Sequence, residues 1–168
     1  SLRHMTPLIA RSKPLEIFET ADTYMTIESN NRSGELVPSD EVSSLIQYSL
    51  GQLNLNADCE VSLTFVDEAE MTELHIKWMD EPGPTDVLSF PMDMPESAGE
   101  AVTLGDIVIC PTVAARQAAS AGHSVNHEIF ILAAHGLLHI LGYDHASAVD
   151  EKVMFALQEK LVKEWGES

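Results

Sequence analysis

Apolar and polar residues alternate in "CEVSLTFVD" (59–67), and this period of two predicts a β-strand with Val61, Leu63 and Phe65 on one face. Two further apolar segments, "TDVLSFPMD" (85–93) and "TLGDIVICP" (103–111), also predict strands. A fourth and shorter strand is predicted in "YMTIES" (24–29), before the polar turn "NNRSG".

Between these strands the apolar residues recur three and four positions apart, which predicts helices. One helix begins at Pro38-Ser39-Asp40, and another covers "EAEMTELHIKWM" (68–79). "TVAARQAASAG" (112–122) predicts a helix that Gly122 ends, and Ser124 is the predicted cap of the next one. The last helix is predicted from about Ser147 to Trp165. The pattern therefore predicts an α+β fold with roughly four strands and about five helices in a single domain.

The regular pattern begins near Met25, so we predict an N-terminal extension (1–24) followed by one domain (25–168). The opening "SLRHM" is either a remnant of cloning or an upstream native segment, and it does not have the pattern of a secretory signal. No run of 18 apolar residues occurs, so no membrane span is expected and the cytoplasm is the expected compartment. Cys59 and Cys110 lie in apolar strand-like runs and are predicted to be buried free thiols.

The net charge of −18 narrows the choice of partners. Only nine Lys and Arg residues stand against 27 Asp and Glu residues. Because polyanion binding depends on cations that neutralise phosphates, a broad nucleic-acid-binding face is disfavoured. A polyanionic substrate would need a local cation cluster, a metal ion or a basic protein partner.

The candidate chemistry lies in "HGLLHILGYDH" (135–145). His135 and His139 are four residues apart, so in a helix they share one face with Cβ atoms about 5–6 Å apart. Gly142 can adopt a positive φ, which ends the helix and turns the chain back towards the same point with His145. Three protein ligands and one open position are typical of catalytic zinc, whereas structural zinc usually has four protein ligands. The spacing therefore predicts a zinc site formed by His135, His139 and His145.

Gly136 stands where the zinc-protease motif His-Glu-x-x-His has its catalytic glutamate. This helix therefore supplies no general base, so a base must come from elsewhere or the metal alone must lower the pKa of bound water to about 7. A peptidase is disfavoured for this reason. Asp144 has two interpretations, a hydrogen-bond partner that orients a ligand imidazole or a turn residue, and spacing does not choose between them. His123 and His127 are also four residues apart and are predicted to be surface histidines.

The histidine motif resembles the signature of the YbeY family of bacterial endoribonucleases. Three further segments carry the resemblance in the same order along the chain, and together they extend it from about Met25 to Trp165: "VSLTFVDEAEMTELH" (61–75), "PTDVLSFPMD" (84–93) and "LGDIVICPTVAARQA" (104–118). The resemblance implies an α+β fold with a mixed sheet backed by helices and a zincin-like metal helix. It also implies a zinc-dependent, single-strand-specific endoribonuclease that acts in 16S rRNA 3′-end maturation and ribosome quality control. Ribosomal RNA and the small ribosomal subunit are the implied partners.

The family pattern usually has an arginine at the position that Met79 occupies here. In the family this arginine is assigned a substrate or catalytic role, which a methionine side chain cannot take. Arg116 matches a family position and is the best other candidate for contacting phosphate, the alternative being a solvated helix arginine. Asp86 and Asp106 are each expected to begin a strand near the cleft, Asp86 as a catalytic candidate and Asp106 as a partner of a ligand. Either could equally be a strand-end cap.

Three functions are consistent with these residues. The first is a zinc-dependent endoribonuclease of ribosomal RNA, to which a basic ribosomal protein would add electrostatic attraction. The second is a zinc hydrolase of small molecules or peptides, which the scarcity of Lys and Arg keeps open. The third is a ribosome-assembly factor without catalysis, whose metal is structural. Within zinc chemistry, a fourth protein ligand would favour the third function.

Overall fold

The computed structural model describes residues 27–97 and 99–167, which form one four-stranded sheet and five helices. The strands are β1 (Ile27–Asn31), β2 (Glu60–Phe65), β3 (Val87–Pro91) and β4 (Thr103–Ile109). The helices are α1 (Ser39–Gln52), α2 (Glu68–Met79), α3 (Pro111–Ala121), α4 (Val125–Ile140) and α5 (Ala148–Glu167). The predicted fold class and element order are confirmed. The predicted extension (1–24), and the first residues of the strand predicted at 24–29, lie outside the described residues.

The sheet is mixed, in the strand order β1-β2-β4-β3. Strands β1, β2 and β4 are parallel, whereas β3 runs antiparallel to β4 and pairs Val87 with Ile109. The carboxyl ends of the parallel strands therefore meet at one edge, and β3 begins at that same edge. Asp86, directly before β3, lies there because its carbonyl accepts a hydrogen bond from Cys110 N at 2.9 Å.

Helix α4 packs against one face of the sheet, where the main hydrophobic core lies. Gly136 makes the closest approach, since a Cβ atom there would lie 3.0 Å from both Ile107 Cγ2 and Ser89 Oγ. The Ser89 hydroxyl also donates a hydrogen bond to the Gly136 carbonyl at 3.0 Å. Most hydrophobic side chains at this position would push the helix off the sheet, so Gly136 fixes where the neighbouring histidines lie.

Helix α2 covers the opposite face, where Trp78 and Phe90 form an edge-to-face ring contact with centroids 6.2 Å apart. Asp106 pairs across the strands with Phe90, so its side chain projects towards this face, whereas the next residue, Ile107, projects towards α4. Asp106 is buried in the middle of β4. The prediction that it begins a strand is therefore wrong, and the sheet separates its side chain from the face that carries α4.

The helix-end predictions hold where the structure tests them. The Ser124 hydroxyl accepts a hydrogen bond from His127 N at 3.0 Å, and Gly122 follows α3 with φ +81°. Gly142 has φ +101°, the left-handed conformation expected at the turn after α4. Cys59 and Cys110 are both buried free thiols, as predicted. Within the residues that the structure describes, no helix is long and apolar enough to cross a membrane.

Candidate metal centre

The C-terminal half of α4 and the turn after it bring three imidazole rings together. His135 and His139 have ring centroids 4.6 Å apart, and His145 lies 5.8 Å and 5.1 Å from them. One nitrogen of each ring lies within 4.8 Å of the other two. In 27–97 and 99–167 this is the one group of three or more His, Cys, Asp or Glu side chains whose ligand atoms lie so close together. The predicted cluster is therefore present and can hold a metal ion.

Hydrogen bonds to the Nδ1 atoms fix the orientation and tautomer of two of the imidazoles. His139 Nδ1 lies 3.1 Å from the Tyr143 carbonyl, which can only accept, so Nδ1 carries the proton and Nε2 presents its lone pair. His135 Nδ1 donates to Gln158 Oε1 at 2.7 Å, which leaves its Nε2 in the same state. Such outer contacts set the tautomer of metal-binding histidines.

The surroundings also keep these two rings neutral. Burial, followed by the charges of His135 and His145, lowers the pKa of His139 to about 4. Burial also lowers the pKa of His135, against the opposing effect of the hydrogen bond to Gln158. Since a metal ion binds the neutral imidazole, the two helix ligands are ready for a cation at neutral pH.

The donor set fits a metal ion well. All three donors are imidazole nitrogens, the ligands that zinc accepts in catalytic sites with one open position. His145, the third donor, is exposed in the turn after α4. No fourth protein ligand joins the cluster in the described part of the chain.

Two aspartates lie close enough to the histidines to affect their pKa values. The charge of Asp86 raises the pKa of His135, and that of Asp144 raises the pKa of His139, although burial outweighs both. Asp86 Oδ1 accepts a hydrogen bond from Val87 N at 2.7 Å, so the carboxylate is held at the strand edge. Asp144 Oδ1 accepts from His145 N at 2.7 Å, which supports the turn interpretation of that residue.

Gly136 explains why α4 has no glutamate base. A Cβ at this position would meet Ile107, Ser89 and Val87, so a glutamate side chain there would be forced against the sheet and its carboxylate desolvated. A side-chain proton acceptor, if one is used, must therefore come from another element. Asp86 is half-buried at the strand edge, close enough for its charge to act on His135, and is a candidate.

Arg116, the cation expected to contact phosphate, is engaged elsewhere. Arg116 donates to both carboxylate oxygens of Glu68, at 2.8 Å and 3.3 Å, and Thr112 also donates to Glu68. No hydrogen bond, ion pair or ring contact in the described residues joins Arg116 to the histidines. Met79 packs against the α2 side of the core, and Lys77 Nζ lies over the Trp78 ring, 5.3 Å from its centroid.

Helix α5 contributes two residues that the sequence did not indicate. Gln158 bonds His135, and the Phe155 ring lies 5.9 Å from His135 and 6.3 Å from His145 between ring centroids. Both residues sit on a helix whose position depends on its packing against α4 and α1. No short motif marks them, because the pairing of α4 with α5 is a tertiary contact.

Comparison with known proteins shows which family this chain is similar to. The family model for Endoribonuclease YbeY matches residues 26–166. A relative from Mycobacterium ulcerans named Endoribonuclease YbeY is 49% identical over 148 residues, which are 84% of this chain and 83% of the relative. A Nocardia farcinica relative of the same name is 48% identical over 151 residues, 86% of this chain and 82% of the relative. The solution structure of TM1509 from Thermotoga maritima is similar, with TM-score 0.58 and 31% identity over 84% of this chain and 90% of that one.

Proposed function

We propose that this chain is a zinc-dependent endoribonuclease of single-stranded ribosomal RNA. The chain belongs to the Endoribonuclease YbeY family and is a nuclease by that membership. The proposed task is 16S rRNA 3′-end maturation and ribosome quality control. The observation that carries the zinc assignment is the cluster of His135, His139 and His145, whose nitrogens lie within 4.8 Å of one another.

The chemistry divides between the metal and the side chains around it. Bound zinc supplies a Lewis acid for a phosphate oxygen and lowers the pKa of bound water. The Asp86 carboxylate is the proposed proton acceptor, through Oδ2, because Oδ1 is held by Val87 N. The Tyr143 carbonyl and Gln158 keep the ligand rings oriented.

Substrate attraction cannot rest on the overall charge, which is −18. We propose that the metal provides the local positive charge that one phosphodiester needs. Arg116 is proposed to contact a neighbouring phosphate, which requires it to leave Glu68 at least in part. The small ribosomal subunit is the proposed partner, a basic ribosomal protein there is proposed to add attraction, and the cytoplasm is the proposed place of action.

Cleavage of a single-stranded 16S rRNA 3′-end fragment tests this proposal. We expect the zinc-loaded protein to cut the fragment and His135→Ala to lose at least about a hundredfold in rate, because a metal ligand is gone. His127→Ala removes an exposed histidine from the other end of α4 and should cut at the wild-type rate. Equal cleavage by wild type and His135→Ala would indicate a contaminating nuclease and contradict the proposal.

A zinc hydrolase of small molecules is the second candidate, and one observation favours it. Arg32 and Arg116 are each paired with a carboxylate, Glu70 and Glu68, so neither is a ready phosphate contact. Hydrolysis of a neutral ester by wild type but not by His135→Ala, with the RNA fragment left intact by both, would select this candidate. The non-catalytic alternative, a structural metal, fits the three-histidine donor set less well because structural zinc sites usually have four protein ligands.

A further inference from the structure

Phe155 places an exposed aromatic ring beside the metal ligands. Its ring centroid lies 5.9 Å from that of His135 and 6.3 Å from that of His145, and the ring is tilted by 40° to each. The residue is 43% exposed, although a phenylalanine on a helix is usually buried. Within the described chain, none of the other large hydrophobic residues that are as exposed is aromatic.

From this position, and resting on the proposed function, we propose that Phe155 is a stacking platform for one unpaired nucleobase next to the phosphodiester that is cut. A planar base can lie over a planar ring that borders a metal site, and the phosphate attached to that nucleotide then lies close to the metal. Aromatic side chains recognise single strands in this way without regard to sequence, because every base has a π-face.

The charge of the protein favours this kind of recognition. With 27 acidic and nine basic residues, the chain gains little from a groove of cations along the RNA backbone. Acidic residues also occupy the first turn of α5, at Asp150 and Glu151. One exposed cation, Lys152, lies three residues before Phe155 and therefore on a neighbouring position of the helix surface. Stacking then supplies binding energy that Coulomb attraction does not.

Stacking on Phe155 also gives a physical reason for selecting single strands. In a duplex each base is paired and stacked between its neighbours, so presenting one base to a protein ring first requires unstacking, at a cost of a few kcal/mol. An unpaired base can move onto the ring at less cost. The same residue therefore binds substrate and discriminates against paired RNA.

A structural role is the competing explanation for Phe155. The ring lies against two imidazoles and could serve only as an apolar wall that shields them from water. Substitution of Phe155 separates the two roles. Loss of a wall would lower the affinity for zinc, whereas loss of a platform would remove the dependence of cleavage on the base that stacks.

The experiment is a cycle of two changes, one in the protein and one in the RNA. The substrate is the single-stranded 16S rRNA 3′-end fragment, with the cut mapped first and one abasic nucleotide then placed in turn at each of the two positions on either side. For the zinc-loaded wild-type protein, we expect one abasic position to lower kcat/KM about fivefold to about 150-fold, the range of one base stack. For Phe155→Leu, the intact and abasic fragments should be cut at similar rates.

Two variants complete the design. Phe155→Tyr retains a ring and should keep the wild-type sensitivity to the abasic position. Val153→Ala changes an exposed residue two positions away, about 200° around the helix, and should also behave as wild type. Zinc affinity, measured by equilibrium dialysis without RNA, should be unchanged in Phe155→Leu. Abasic sensitivity that persists in Phe155→Leu would overturn the proposal, and reduced zinc affinity in the same variant would then assign the ring the role of a wall.

A second measurement does not depend on cleavage. The same fragment carrying 5-iodouridine next to the cut, or at each uridine in turn if no cut occurs, is irradiated with the protein, and the adduct is located by mass spectrometry. We expect the adduct on Phe155 in wild type and its loss in Phe155→Leu. Absence of cleavage together with this adduct would overturn the proposed nuclease function but not the stacking site. Cleavage without an adduct at Phe155 would overturn the stacking site alone.

Discussion

Helix α4 and the residues just before it carry two histidine pairs of the same spacing and nearly the same geometry. His123 and His127 have ring centroids 4.8 Å apart at an interplanar angle of 79°, while His135 and His139 are 4.6 Å apart at 87°. Their surroundings differ. His123 Nε2 is hydrogen-bonded to Glu128 at 2.5 Å, which occupies a nitrogen that a metal would use. His135 and His139 instead use their Nδ1 atoms for hydrogen bonds and gain a third ring, His145.

The difference shows that spacing of four residues does not by itself make a metal site. A ligand pair needs its outer nitrogens occupied by acceptors and its inner nitrogens free. It also needs a third donor, which the positive φ of Gly142 delivers after α4. The pair of His123 and His127 lacks these features, and His123 lies before the helix, since α4 starts at Val125.

The largest expected effect separates the two pairs by metal content. Protein purified without added metal should contain about one zinc per chain, and His139→Ala should bring this below about 0.1, because two ligands rarely hold zinc. His127→Ala is the matched control and should retain the full amount. Metal content measured by mass spectrometry decides the point, and equal loss in both variants would remove the distinction between the pairs.

Gln158→Leu should have the next largest effect. The substitution leaves His135 Nδ1 without an acceptor and its ring free to take the other tautomer, and loss of such a partner typically weakens metal binding about 10-fold to 100-fold. Competition with a zinc chelator measures the affinity. Gln158→Glu can still accept the hydrogen bond from His135 and should keep the zinc affinity near that of the wild type. Affinity at the wild-type level in Gln158→Leu would show that α5 does not orient the ligand.

Gly136→Ala tests how firmly the part of α4 that carries His135 and His139 is held against the sheet. The added Cβ would meet Ile107 Cγ2 and Ser89 Oγ at 3.0 Å, so we expect a loss of about 1–3 kcal/mol from overpacking, partly offset by up to about 1 kcal/mol of helix propensity. Gly51→Ala in α1 meets nothing within 4 Å and should raise the free energy of unfolding. Urea denaturation compares the two, and a stabilised Gly136→Ala would contradict the close approach.

The smallest effect is a pH dependence of the metal-free protein. The folded pKa of His139, about 4, is below its ordinary value of 6.5, so between these values the unfolded chain binds a proton that the folded chain does not. Stability from this source is complete above pH 6.5 and is lost as the pH falls towards 4. Allowing for solvent screening, we expect about 1 kcal/mol between pH 7 and pH 5. His139→Gln should flatten the change in urea midpoint, and His127→Gln is the matched control. An identical pH slope in His139→Gln would contradict the assignment.

The local parts of this architecture were predictable from the sequence, and the parts that depend on packing were not. Helix α2 has the predicted bounds, 68–79, because Asp67 caps its start and Asp80 follows its end in a left-handed conformation. The histidine cluster was predictable because all three ligands lie within one helix and one turn. Gln158 and Phe155 were not, since they reach the site through the packing of α5.

Asp106 was predicted to begin a strand, but it lies in the middle of β4. Strand β4 continues through Gly105, which has φ +152° and no space for a side chain, since a Cβ there would clash with the Phe90 carbonyl oxygen. Alternation is irregular at such a position, so the face on which Asp106 lies cannot be counted from the strand start. Arg116 was expected at the substrate, and its pairing with Glu68 depends on how α3 lies beside α2.

The three candidate metal ligands span eleven consecutive positions, and we expect this contiguity to affect folding as well as binding. A short segment closes its ligand loop at little entropic cost, so the unfolded chain can also chelate zinc, although without the acceptor on α5 that orients His135. A ligand that binds both states stabilises the folded one only by the difference in affinity. If zinc is the ion, it should therefore raise the melting temperature less than its affinity for the native protein suggests, and we expect a nascent chain to be able to bind it before α5 has been synthesised.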